Sequence, residues 1–450
     1  MYRLILSIWM ALLPAGLVFA QDQPDFRTID SETYRLFLEQ KWDSVIRMGH
    51  MALKQDIDYY YLRLRLGIAS YHRKNYRRAS NHFSRALRFN PGDPLALEYL
   101  YFSRLFSGQN DQAGLVRKQF MGDLALRLPP EKAKFVERTG GEYLYCEAMT
   151  DDLLSDPDAL FSGLPPGQQY VTRHFYNLSF SLSHRIMPGL SITHAYNYLS
   201  KYNYLFYFDG LNQLHLADQR VYQHQYYISP VITTRTGFSF RPMFHLLSVH
   251  FQVPLFSDQG FQGGNNQPAL LYRDSIDVVT GMGFSKGIGP FDLSFGLYYA
   301  TINNASQVQQ RLGFTWYPMG NLNLYAGCFL NSQFETTASA NTIRHIPEMH
   351  AGFAIAEKVW FDLNGAIGPM EHYLEHNGSV IYNSFADLIL YKLTCTVSVP
   401  VTEKGSLVYL GGRWSANRSE YYSFYIAQSE ITNHIDYNAF SIYGGLSWKF

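Results

Sequence analysis

The sequence predicts a stack of α-helical hairpins followed by an antiparallel transmembrane β-barrel of about 14 strands. Three observations predict this. The spacing of apolar residues changes near residue 140 from a period of 3.6, typical of helices, to a period of 2, typical of strands. Aromatic residues make up 16% of the chain, with 35 Tyr and 32 Phe, while charged residues are only 16%. Soluble domains carry roughly 25% charge, so this balance suits a surface that is half apolar and half wet. The chain also ends on "YGGLSWKF", residues 443 to 450, an alternation that stops on an aromatic.

Residues 1–20 carry Arg3, then an apolar run broken by Pro14 and Gly16, then Val-Phe-Ala. This pattern is expected of a secretory signal peptide cut after Ala20. No later stretch of about 18 apolar residues exists to form a spanning helix. Lys+Arg and Asp+Glu are equal at 37 each, so net charge points to no partner and gives no footprint for nucleic acid. Three cysteines, Cys146, Cys328 and Cys395, cannot all pair and indicate no disulfide framework.

Residues 21–130 read as a helical domain. In "LGIASYHRKNYRRASNHFSRALRFNP", small residues (Gly67, Ala79, Ala86) alternate with large ones (Leu66, Tyr76, Phe83), ahead of Pro91. Small residues let two helices cross closely, and large ones fill the gap. Between Asp58 and Asp93 lie eight basic residues and no acidic one: Arg63, Arg65, Arg73, Lys74, Arg77, Arg78, Arg85 and Arg88. Such a patch attracts an acidic protein segment or an anionic polymer, or is simply a solvated helix face.

Residues 131–450 read as the barrel. In "PFDLSFGLYYA", Phe291, Leu293, Phe295, Leu297 and Tyr299 alternate with Asp292, Ser294, Gly296 and Tyr298. Successive side chains of a strand face opposite ways, so each strand has one apolar and one polar or small wall. Fourteen such segments start near residues 140, 171, 189, 220, 236, 273, 289, 305, 321, 346, 358, 386, 405 and 436. Short turns such as "TTRTG" and "SKGIGP" alternate with long polar connections, near 150–170, 202–219, 252–272, 334–345, 370–385 and 418–435. Outer-membrane barrels have short turns on the periplasmic side, long loops outside and an even strand number. This order places both termini, and with them the helices, in the periplasm. The expected location is therefore the bacterial outer membrane, with outer-membrane lipid as a partner.

In the register of that alternation the inward wall carries Arg173, Arg241, His245, Asp277, Asp292, Arg311, Glu348, Asp362, Lys392 and Arg413, with His350 and Lys449. Charges inside a barrel either line a water-filled path or pair across it and close it. The last strand carries Phe440, Ile442, Leu446, Trp448 and Phe450 on one face, and Ser441, Tyr443 and Lys449 on the other. "HYLEH", His372 to His376, has the spacing of a zinc peptidase motif that requires a helix. It falls here in an expected outside loop between Gly368-Pro369 and Asn377-Gly378, so no metal is expected. His174 and His194 fall on the outward face with no companion Ser, and no enzyme or cofactor is expected.

The helical segment resembles a tetratricopeptide repeat, with Leu66-Gly67, Tyr76, Ala79, Phe83, Ala86 and Pro91 in the slots of that 34-residue pattern. The ending Tyr443, Gly444, Leu446, Trp448, Phe450 resembles the signal by which the barrel-assembly machinery recognises outer-membrane barrels. The layout is similar to bacterial outer-membrane proteins that join periplasmic repeats to a barrel, among them surface-lipoprotein assembly modulators and exopolysaccharide-export porins. That resemblance implies an export, translocation or assembly component whose repeats capture a periplasmic protein or anionic polymer client. A non-transporting anchor for a protein complex is the alternative reading, and an outer-membrane barrel enzyme, which would need a grouped outward Ser-His pair, is the third.

Overall fold

The computed structural model describes residues 25–129, 133–150, 155–208, 214–254, 256–257, 260–261, 270–338, 340–379, 381, 387–402, 405–423 and 433–450. The expected signal peptide lies outside the described residues.

Seven helices come first: α1 (Phe26–Leu38), α2 (Trp42–Lys54), α3 (Tyr60–His72), α4 (Tyr76–Phe89), α5 (Pro94–Phe106), α6 (Asn110–Arg117) and α7 (Gly122–Arg127). Their starts carry local signals. The side chains of Asp25, Asn75 and Asp93 accept from backbone N–H groups three residues on and so cap α1, α4 and α5. Pro94 opens α5, where its missing N–H costs nothing. Gly67 of α3 lies against Phe83 of α4, and a Cβ there would come within 2.6 Å of the ring. Ala79, Phe83 and Ala86 are fully buried in the core between α3, α4 and α5.

Fourteen strands follow: β1 (Lys134–Met149), β2 (Gly167–Met187), β3 (Leu190–Phe208), β4 (Leu214–Thr233), β5 (Phe238–Pro254), β6 (Leu270–Ile288), β7 (Phe291–Ile302), β8 (Ala305–Trp316), β9 (Leu324–Thr336), β10 (Asn341–Ile355), β11 (Val359–Met370), β12 (Asp387–Pro400), β13 (Leu407–Ser423) and β14 (His434–Lys449). Each pairs antiparallel with its sequence neighbours, and β14 closes on β1. Twelve register pairs, Arg138↔Lys449 to Met149↔Asn438, seal that seam. The Phe450 N–H donates to the Glu137 carbonyl at 3.0 Å, so the final residue still belongs to the wall. Near the opposite end, β13 reaches past the ends of β14 and β1 and pairs directly with β2, from Tyr421↔Gln169 to Ser423↔Gly167.

The outer face is apolar. Phe291, Leu293, Phe295, Leu297 and Tyr299 of β7 are exposed outward, as are Phe440, Ile442, Leu446 and Trp448 of β14. A closed barrel with such a belt satisfies its backbone internally and crosses a bilayer with strands. Among the described residues no helix is long and apolar enough to do so. The connections at one end, hereafter the turn end, are short. At the other, the loop end, Asn303-Asn304 is a tight turn, with φ of 50° and 62°. Two left-handed residues give the hairpin twist that matches the strands.

Three expectations fail here. Residues 334–345 were expected as a long connection, but β9 runs to Thr336 and pairs there with Asn341 at the start of β10, so the link is short. Residues 202–219 were expected as a long loop. The β3–β4 ladder instead continues from Tyr202↔Arg220 to Phe208↔Leu214, because the aromatic alternation persists there and Arg220 lies over the Tyr202 ring at 5.2 Å. Arg173 was assigned to the lumen. The β2–β3 register shifts between Thr172 and His174, and this irregularity turns Arg173 outward. There it pairs with Asp218 at 3.7 Å and covers Tyr204.

Candidate functional site: the lumen, its crossbar and the helical dock

Residues 371–379 and 381, between β11 and β12, do not leave the barrel as an outside loop. The segment folds into the lumen and crosses it. At its start, Gln307 and Gln309 of β8 donate to the carbonyls of His372 (2.8 Å) and Leu374 (2.9 Å). The Leu374 N–H returns a bond to Gln309 at 3.1 Å. Gln333 of β9 donates to the Glu371 carbonyl at 2.8 Å. At the far end, Gln223 and Gln225 of β4 donate to the Ile381 carbonyl at 3.2 and 3.0 Å. His245 of β5 meets the Gly378 carbonyl at 2.8 Å through Nδ1, which therefore donates. Gly378 has φ +75°, and a Cβ would press within 2.8 Å of Met243, so this crossing point requires glycine. Each backbone group placed inside the barrel needs a partner, and the inward glutamines supply them.

Ion pairs fix the middle of the crossbar. Glu375 meets Lys392 of β12 at 2.5 Å, with both side chains buried. His372 Nδ1 lies 2.7 Å from Glu335 of β9, and Arg344 also binds Glu335, at 2.9 Å. The Tyr373 hydroxyl donates to Glu348 at 3.0 Å, which Arg311 holds at 2.5 Å. The motif "HYLEH" is thus a lumen strut and not a helical metal site: His372 is left-handed, and residues 376–378 form one 3₁₀ turn.

The crossbar separates two cavities. One of ≈ 600 Å³ is lined by Glu142, Arg311, Glu348, Asp362, Lys392 and Arg413, so both charge signs face it. A smaller one of ≈ 70 Å³ lies by Asp387, which holds Lys201 at 2.7 Å and accepts from Tyr437 at 2.5 Å and from Thr172. Of the other residues read as inward, Arg241 lines a further ≈ 130 Å³ pocket beside Arg311. Asp277 is buried beside Ser275, and Asp362 accepts from Tyr325. Asp292 points inward only at the turn-end rim.

There Asp292 receives two bonds from the Arg77 guanidinium, at 2.8 and 2.6 Å. Arg77 also stacks 3.7 Å over the Tyr317 ring, and its N–H donates to the Gly320 carbonyl at 3.0 Å. Lys74 pairs with Glu357 at 2.6 Å, which raises the lysine pKa. Arg185 of β2 binds both Asp111 of α6 (3.1 Å) and Glu137 (2.8 Å). These contacts seat the helical stack on the turn end of the barrel.

They also account for much of the basic patch. Arg63 is held by Asp58, Arg65 by Asp30, and Arg73 by Asp43. Arg78, Arg85 and Arg88 have exposed positions on α4 and no ion pair among the described residues. Beside them His82 is pushed down to about 3 by burial, with Arg63 adding to the effect. Sequence reasoning missed the crossbar. Its available signal was five glutamines at inward strand positions, a residue type that bonds peptide groups without carrying charge.

No family model matches this chain, and no curated protein matches it. Among solved structures, the Pseudomonas putida toluene transporter TodX is similar over 74% of this chain and 94% of its own, at 9% identity and a TM-score of 0.42. The Ralstonia pickettii toluene transporter TbuX is similar over 73% and 94%, at 6% identity and a TM-score of 0.43. A bacterial polysaccharide outer membrane secretin is similar over 70% and 99%, at 7% identity and a TM-score of 0.37.

Proposed function

We propose that this protein is an outer-membrane transport component whose lumen is gated by the 371–381 crossbar and whose helical stack faces the periplasm. The observation that carries the reading is the way the crossbar is held. It is bound by neutral glutamine side chains and by buried polar pairs, Glu375–Lys392 and His372–Glu335, with Tyr373, Leu374 and Ile381 as separate apolar anchors. Removing one partner of a buried pair costs about 3–5 kcal/mol, enough to shift such an element between two positions. The cargo class is hydrophilic, because the ≈ 600 Å³ cavity presents carboxylates and cations together. The stack captures the client in the periplasm through Arg78, Arg85 and Arg88, the basic side chains of the patch that are exposed and without an ion pair among the described residues.

Single-channel recording of the full chain in planar bilayers tests the gate. The unmodified protein is expected to conduct little, and Glu375→Gln or deletion of residues 372–381 to raise conductance several-fold. If both variants fold and neither conducts, the barrel is a closed anchor for the stack. That second reading is favoured by the crossbar itself, which spans the lumen.

A further inference from the structure

On the outer wall, near the loop end, three polar side chains stand in a line across two strands. Ser248 and His250 are two residues apart on β5 and therefore face the same way, outward. Asp274 of β6 is the register partner of His250. The Ser248 hydroxyl lies 3.4 Å from His250 Nε2, and His250 Nδ1 lies 2.7 Å from Asp274 Oδ1. The two ring nitrogens are thus divided between a hydroxyl and a carboxylate. The carboxylate keeps the hydrogen on Nδ1 and leaves the Nε2 lone pair facing the serine, which is the order that makes a hydroxyl nucleophilic. Such contacts are commonly long without substrate and tighten in the reacting complex. On the other flank, the β4 register partner of Ser248 is His224, whose Nδ1 meets the Tyr196 hydroxyl at 2.7 Å. With that hydroxyl donating, His224 carries its hydrogen on Nε2 and offers a donor beside the serine.

The position selects the substrate. Along the outward face of β5, Phe238, Phe240, Pro242, Phe244 and Leu246 are apolar, and Ser248, His250 and Gln252 follow. The serine therefore stands at the upper border of the apolar belt. In a bilayer that border is where acyl chains meet head groups, the depth of the ester bonds. A girdle role accounts for Tyr and His at this height. It does not account for a hydroxyl, an imidazole and a carboxylate in bonding order.

We propose that Ser248, His250 and Asp274 form an esterase site on the lipid-facing wall, acting on fatty acyl esters of membrane lipids. Ser248 Oγ attacks the ester carbonyl carbon while its proton passes to His250 Nε2. The acyl C–O bond breaks, and the imidazolium returns that proton to the leaving alkoxide, which departs as an alcohol. Water then attacks the acyl-serine, its proton passes through His250 to Ser248 Oγ, and a free fatty acid leaves. His224 Nε2 donates to the developing oxyanion. Glycerophospholipids and acylated sugar lipids both present the required ester.

The test uses the full chain, shown to be folded by heat-modifiable migration, with a fluorophosphonate probe. It is then placed in vesicles of phosphatidylethanolamine and phosphatidylglycerol, or in vesicles containing lipid A. The unmodified protein is expected to label at Ser248 and to release fatty acid in at least one vesicle type, which identifies the lipid. Ser248→Ala is expected to abolish both signals. His250→Asn is expected to lower both at least 100-fold, and Asp274→Asn at least 10-fold. Folded protein that neither labels nor releases fatty acid in either vesicle overturns the proposal, as does labelling that survives in Ser248→Ala.

Discussion

Arg77 shows how one side chain changes meaning when the fold is known. In the sequence it is one of eight basic residues and indistinguishable from Arg78. In the structure its side chain is 3% exposed and bound by two hydrogen bonds to Asp292, while Arg78 is exposed. A helix N-terminus disfavours cations, and the rim carboxylate of the barrel offsets that penalty for Arg77. Replacing Asp292 with Ala leaves the buried guanidinium without its anion, at about 3–5 kcal/mol. The expected outcome is a folded barrel from which the stack has loosened. Hydrogen exchange should quicken in α3 and α4 and stay unchanged in β7–β12, and equal protection in both regions would show that other contacts hold the stack. Arg173 makes the converse point. Alternation assigned it inward, and one register shift reversed it, because a period of 2 has no tolerance for an inserted residue.

At the scale of elements, the strands were legible and the inward segment was not. Observed strand starts lie within six residues of those read from the alternation, since each strand must show lipid on one side and lumen on the other. A segment such as 371–381 meets no such two-sided constraint. Pro369 before it, and Asn377 and Gly378 within it, read equally as an outside loop, and long-range partners such as Gln223, Gln309 and His245 draw it in. The Ser248-Val249-His250 stretch had a local signal, a Ser and a His at strand spacing on one face, but its carboxylate comes from the next strand. The last strand was the most legible of all, and it carries a prediction. Deleting Phe450 removes the N–H bond to Glu137 and the carbonyl that Lys134 reaches at 2.7 Å. Little heat-modifiable barrel is expected in the membrane fraction of cells making this truncation. Normal amounts would show that Leu446 and Trp448 suffice.

For the whole molecule, one sidedness argument links the two ends. The helical stack, both strand termini and the short turns share one end, while the crossbar enters from the other. In the proposed reading, a client held by α4 and a gate held by Glu375 therefore meet the lumen from opposite ends. Orientation decides which compartment each one serves. Protease added to intact cells is expected to cut near 255–268 and 424–432 and to spare α1–α7. Cutting in the helices with those stretches protected would invert the molecule in its membrane and with it the proposed direction of transport.

The direct pairing of β13 with β2 has a mechanical consequence. Fourteen strands enclose the lumen through most of its height, but above the ends of β1 and β14 the ring closes with twelve. Barrel diameter grows roughly in proportion to strand number, so the mouth is narrower there by about one seventh. The clasp also bridges the very seam where the chain's first and last strands meet. Gln169 and Ser419 tie it with side-chain bonds to the opposite backbone, and Tyr421, fully buried, locks beneath it by donating to the Pro165 carbonyl at 2.5 Å. The seam of an ordinary barrel can unzip sideways from its free end. Here the zip has a bolt across its top, which braces the wall at its seam against sideways opening.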